Sequence, residues 1–207
     1  MRGKFVTFEG CEGSGKSTQL RLLSEYLSSL GVDFILTREP GGSKISEEIR
    51  KIILNGKNVE MCDECEALLY AAARIQHLRE TVAPALESGK LVICDRYVHS
   101  SLAYQGYARG LSVQYISEIN RVALESYPPD ITVFLDISPV AAFKRKHGAD
   151  RDDRIENLGL EFHEKVYRGY KRLLDKDPYI CAVDCGGSKY ETAEKIKNLL
   201  IERQIIT

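Results

Sequence analysis

The chain lacks a charge excess of either sign and any long apolar run. Its 207 residues carry 29 Lys and Arg against 30 Asp and Glu, a formal balance of -1. Gripping a polynucleotide backbone over a broad surface requires a basic surplus, so general nucleic-acid binding is excluded and any selectivity for anions must be local. No stretch approaches the roughly 18 apolar residues of a membrane span. The residues after Met1 include Lys4 and a short strand-like run in place of a signal-peptide core. A cytoplasmic protein with no membrane partner is therefore expected. Internal repeats and low-complexity linkers are also missing, which at this length leaves one compact domain over residues 1–207. Cysteine is present, but Cys62 and Cys65 stand far from Cys181 and Cys185, and the two spacings differ, which argues against zinc. Cys94 reads as a small buried hydrophobe.

What the chain does have is a glycine-rich loop from Gly10 to Ser17, Gly-Cys-Glu-Gly-Ser-Gly-Lys-Ser. Before it, Phe5 to Phe8 alternates aromatic and β-branched residues as a buried strand does. After it, Leu20, Leu23, Leu27 and Leu30 recur at helical spacing. Strand, loop and helix in that order form a phosphate cradle: glycines let the backbone wrap an anion, and the helix N-terminus adds partial positive charge. The expected nucleotide contacts are Gly10, Cys11, Glu12, Gly13, Ser14, Gly15, Lys16, Ser17 and Thr18. Lys16 supplies a full cation to the phosphates and Ser17 a hydroxyl for Mg2+.

Further apolar runs at Phe34–Leu36, Leu91–Cys94, Ile131–Leu135 and Tyr179–Val183 alternate with helical periodicity. This rhythm predicts an α/β fold of the P-loop NTPase kind, three layers with a parallel sheet of about five strands covered by helices on both faces. Ligands in such folds lie at the carboxyl ends of the strands. The phosphate loop, Thr37 to Pro40, Asp95 to Tyr97, and Asp136 should thus converge on one rim. A helix is expected from Asp63 as N-cap, with Glu66 three residues on, past Leu78 to a disturbance at Pro84. Tyr70 and Arg74 share a face of it. The charged stretch from Phe143 to Arg154 reads as a mobile basic lid at about 143–156.

A phosphate loop alone fits a switch GTPase, a translocase or a small-acceptor kinase. The Asn-Lys-x-Asp element that reads guanine is absent. Arg38 and Arg96 follow the second and third strands, and Arg50 and Arg74 lie on the intervening helices, so together they would line a positive pocket for a second phosphate-bearing molecule. In-line phosphoryl transfer needs just that: an aimed acceptor and cations over the transferred group. Asp95, an acid ending an apolar strand opposite the loop, suits Mg2+ or its waters.

With these residues in view the chain resembles the thymidylate kinases of bacterial type, which phosphorylate dTMP with MgATP. The likeness rests on Phe8 to Gln19, Thr37 to Gly42 (Thr-Arg-Glu-Pro-Gly-Gly), Asp95 to Tyr97, Ser101 to Gly106 (Ser-Leu-Ala-Tyr-Gln-Gly) and Asp153 to Glu156 (Asp-Arg-Ile-Glu), in family order. It implies ATP as phosphoryl donor, dTMP as acceptor and a homodimer. It also implies that Arg74 bonds the thymine carbonyl and Tyr70 stacks on the base, where family members often have Phe. Ser101 and Gln105 lie near the base edge, Tyr104 lies against the deoxyribose, and Glu12 near the 3′-hydroxyl. Arg38, Arg50 and Arg96 surround the acceptor phosphate, and Glu9 sits beneath the loop. The loop itself carries no arginine, so the resemblance moves the transition-state cation to the lid, with Arg151 or Arg154 at the γ-phosphoryl beside Lys16 and Arg96. Other assignments of the same residues are a different pyrimidine monophosphate kinase, a deoxynucleoside kinase, or a nucleotide switch without turnover.

Overall fold

The computed structural model describes residues 2–145, 154–155 and 158–206. Its five strands are β1 Phe5–Glu9, β2 Phe34–Arg38, β3 Leu91–Asp95, β4 Ile131–Asp136 and β5 Ile180–Asp184. They form one parallel sheet in the order β2-β3-β1-β4-β5. Helix α1, Lys16–Ser29, leads from β1 to β2, and α2, Lys44–Leu54, with α3, Asp63–His77, and α4, Ala83–Glu87, lead on to β3. Beyond β3 come α5, Val98–Ser101, a π-helical stretch over Leu102–Ala108, α6, Val113–Ile119, and α7, Arg121–Ser126. Helices α8, Pro139–Arg145, and α9, Gly159–Leu174, separate β4 from β5, and α10, Lys189–Glu202, follows.

The two faces of the sheet bury different side chains because strand residues alternate. Phe5, Val92, Cys94 and Phe134 pack with Leu78, Ile116, Val166 and Tyr170 on one side. Val6, Phe8, Ile93 and Val133 pack on the other with Leu20, Leu23 and Leu27 of α1 and Ile196 and Leu200 of α10. Each such fully buried side chain contributes about 1.5–3 kcal/mol of transfer free energy. Leu30 departs from the expected stripe: it is the C-cap of α1 and half exposed. Of the three central strands β1 is buried throughout and β3 and β4 are buried except at their last residues, whereas the edge strands β2 and β5 are only partly covered. Continuous apolar sequence thus signals two-sided burial in the centre, and at the edges overstates it.

Helix α3 begins one residue earlier than its composition implies. Cys62 is the N-cap, and Glu66 turns inward and is buried instead of capping. The disturbance expected at Pro84 is a π-turn over Leu78–Val82 placed just before it, since Pro84 has no N–H for a helical bond. Parallel register sets Arg38 and Phe8 level with Asp95. The strand ends therefore meet on one rim beneath the glycine-rich loop.

Candidate active site

The loop from Gly10 to Ser17 connects β1 to α1. Gly13 has φ of 75°, and a Cβ there would lie 2.6 Å from the Ala142 carbonyl oxygen, so glycine is required for both conformation and space. Lys16 is buried and its Nζ donates to the Gly10 carbonyl at 3.2 Å. Below the loop, the buried Glu9 carboxylate accepts from the backbone N–H groups of Tyr97 (2.8 Å) and Ser100 (3.1 Å) and from the Tyr170 hydroxyl (2.7 Å). That anion fixes the turn after β3 against the loop.

Arg96 occupies this turn with φ of 69°, a left-handed conformation that costs a non-glycine residue about 1–2 kcal/mol. Its guanidinium returns to the loop, donating to the Gly10 carbonyl at 3.2 Å, to Ser100 Oγ at 3.2 Å and to Glu12, and it lies over the Tyr104 ring at 5.1 Å. Burial pushes the Tyr104 hydroxyl well above the usual tyrosine range although Arg96 opposes it, so it stays protonated. Burial likewise raises the Cys11 thiol to about 12.

Two clefts flank the loop. The first has about 810 Å³ of open space and is lined by Arg38, Arg50, Tyr70, Asp95, Arg96, Ser101, Tyr104 and Gln105. The second has about 1230 Å³ and is lined by Gly13, Ser14, Gly15, Thr18 and Gln19, with Arg145, Cys185, Gly187, Lys189 and Thr192. Glu12, Lys16 and Ser17 belong to both. Asp95 Oδ1 is buried without a hydrogen-bond partner in the cleft that Ser17 also lines. An orphaned carboxylate oxygen beside a hydroxyl suits a hydrated divalent cation.

Of the residues anticipated for the acceptor, all but Arg74 lie on the first cleft. Arg74 stands behind its wall, 1% exposed, donating to Glu39 Oε2 (2.6 Å), Ser101 Oγ (3.1 Å), the Tyr97 carbonyl (3.1 Å) and Asn120. A guanidinium beside buried Glu39 forms that ion pair before it can face the cleft. Arg154 is docked on α2 and α3, where it donates to the Ile53 carbonyl at 3.1 Å and to Glu66, and these bonds hold it away from the phosphate loop. Arg151 lies outside the described residues, as does most of the expected lid. Arg38 is held in a forked pair with Glu47 (2.8 and 2.9 Å), and Arg50 donates to the Pro40 carbonyl at 2.8 Å.

A model of the family described as Thymidylate kinase matches residues 8–196. The chain belongs to the thymidylate kinase family. It is 45% identical over 202 residues to the thymidylate kinase of Finegoldia magna, covering 98% of this chain and 100% of that one. It is 50% identical over 179 residues to that of Clostridium novyi, covering 86% and 87%. Against that of Symbiobacterium thermophilum the identity is 46% over 199 residues, covering 96% and 92%.

Around the motifs of this thymidylate kinase family member lie contacts that sequence reading did not assign, Arg145 having been read only as one more lid arginine. Arg145 closes the second cleft by donating to the Cys185 carbonyl at 2.9 Å, and Gly186 and Gly187 after β5 were the available signal, a glycine turn at a strand's carboxyl end. Glu39 joins Arg74 to His77 (Nδ1 at 3.0 Å), and His77 Nε2 pairs with Thr37 Oγ1 at 2.7 Å. Among the described residues Glu39, His77 and Cys94 are the one cluster with metal-ligand spacing, yet Arg74 and Thr37 already engage the acid and the imidazole. The Cys62 and Cys65 thiols are free and exposed.

Proposed function

We propose that this enzyme transfers the γ-phosphoryl group of ATP to dTMP, giving dTDP, with dTMP in the first cleft and ATP in the second. The observation that carries the reading is the meeting of the two clefts at Glu12, Lys16 and Ser17, with Arg38, Arg50 and Arg96 on the acceptor side only. Two phosphates held on either side of Lys16 are in position for in-line transfer, where catalysis is chiefly alignment and charge compensation. Arg96, pinned by Glu12 and Gly10, is the cation between them. An incoming acceptor phosphate exchanges with Glu47 for Arg38 at little cost, because an exposed ion pair contributes only about 0.2–1 kcal/mol.

Ser17 and Asp95 are the residues that would hold Mg2+, which when bound neutralises phosphate charge. On the acceptor base, Tyr70 supplies a stacking face and Ser101 and Gln105 its polar edge. Tyr104, buried under Arg96, leaves no room for a 2′-hydroxyl, and Glu12 accepts from the sugar 3′-hydroxyl. The docking of Arg154 on Glu66 favours Arg151 as the cation of the transition state. The enzyme works as a cytoplasmic homodimer in this proposal, which sedimentation tests directly.

A coupled ADP assay with dTMP, dUMP, UMP, CMP and thymidine, run with Mg2+ and with excess EDTA, tests the function. Highest kcat/KM for dTMP and loss of turnover in EDTA are expected. Preference for UMP or thymidine overturns the specificity, and ATP binding without ADP release overturns the activity.

A further inference from the structure

Helix α3 carries three residues at four-residue intervals beside the acceptor cleft: Tyr70 lines it, and Glu66 and Arg74 are buried behind its wall. Glu66 is 1% exposed, and its two carboxylate oxygens are used differently. Oε2 accepts from Arg109 Nη2 at 2.8 Å and from Arg154, while Oε1 accepts from Gln105 Nε2 at 2.8 Å, with Arg109 Nε more distant at 3.4 Å. A carboxylate on which two guanidiniums and an amide converge serves as acceptor to all three. The amide group of Gln105 that meets it must therefore be the NH2, and the carbonyl oxygen is left for the cleft that Gln105 lines.

A second constraint acts on the neighbouring Ser101. Its Oγ accepts from Arg74 at 3.1 Å, so the hydroxyl proton is free to be donated to the cleft. The wall thus presents a donor from Ser101 next to an acceptor from Gln105. A pyrimidine with a 4-oxo group beside a protonated N3 complements this order, whereas a 4-amino group beside an unprotonated N3 reverses it.

We infer that Glu66 is a positioning residue that makes the cleft select 4-oxo over 4-amino pyrimidine nucleotides, by fixing the Gln105 amide through the hydrogen bond between them. The inference rests on the acceptor reading of this cleft. Glu66 touches no substrate in it; its effect passes through one amide that has two orientations differing by a half-turn.

The test is Glu66→Gln, which keeps the shape. The two arginines can only donate, so they claim the new carbonyl oxygen at the Oε2 position, and the new NH2 faces Gln105. Gln105 then turns over and offers its NH2 to the base. The ratio of kcat/KM for dTMP over dCMP should fall at least about tenfold, the scale of one mispaired hydrogen bond, chiefly through a higher KM for dTMP with kcat nearly kept. The double variant E66Q/Q105E restores an acceptor to the cleft and should return the ratio to within about threefold of the starting value. If E66Q does not fold by circular dichroism, the double variant carries the test alone. An unchanged ratio in folded E66Q, or a double variant that fails to hold the ratio, overturns the inference. Wild-type protein inactive on dTMP would instead overturn the proposed function, so the two failures are separable.

Discussion

Replacing Arg74 with Met removes the largest buried charge behind the acceptor cleft. Arg74 and Glu39 are 1% and 2% exposed, and the guanidinium makes four hydrogen bonds, to Glu39, Ser101, Asn120 and the Tyr97 carbonyl. Stranding one member of a buried ion pair costs about 3–5 kcal/mol, because the remaining charge keeps its desolvation penalty and loses its partner. The orphaned neutral acceptors add about 1 kcal/mol each where water cannot reach them, and the adjoining cleft relieves some of that. R74M should therefore lose about 4–6 kcal/mol, a large part of the 5–15 kcal/mol typical of a folded domain. Glu39→Gln alone should cost about 3–5 kcal/mol for the same reason in reverse. The double variant has no unpaired charge, so its loss should fall at least about 2 kcal/mol short of the sum of the single losses. Urea denaturation followed by circular dichroism measures all three. Additive losses, or a loss below about 1 kcal/mol for R74M, would refute the claim that this pair holds the wall of the cleft.

Alkaline pH should unfold the protein early. Thiols of the unfolded chain titrate near 9.0, while burial raises Cys11 to about 12 and holds Cys94 well above its ordinary range, so above pH 9 the unfolded state holds fewer protons and stability falls as pH rises. The two thiols together should remove about 4 kcal/mol by about pH 10.5, with the loss absent below about pH 8; a melting temperature flat to pH 10.5 would contradict their burial. Arg151→Ala should lower kcat by about 10³-fold or more with KM for ATP little changed, the effect of withdrawing a transition-state cation. Arg154→Ala should lower thermal stability, since it strips one donor from Glu66, and leave kcat within about tenfold. The reverse order of kcat losses would return the transition-state role to Arg154.

The loop, the strand count and the parallel layering were legible in the amino-acid order, because they depend on local spacing: glycines at fixed intervals, apolar runs of strand length, leucines at helical period. So were Arg38, Arg50 and Arg96 as cleft residues, since each stands at a strand end or on a helix whose place the βαβ rhythm dictates, whereas Tyr70, Ser101, Tyr104 and Gln105 were legible there through the family resemblance. What stayed hidden was partnership between segments. Glu66, three residues into a helix, has the sequence signature of a cap, and only the packing of α3 against the stretch after β3 turns it toward Gln105 and Arg109. Arg74 sits on the expected face, yet its depth depends on Glu39, thirty-five positions earlier, finding it first. Arg154 reads as one more charge in a basic run until Glu66 claims it. Sequence by itself determined that the protein holds phosphate at the rim of a parallel sheet and which side chains face it. The tertiary structure alone decided which charges neutralise one another and which remain for substrate, because a buried ion's partner is chosen by distance in space across elements remote in the chain.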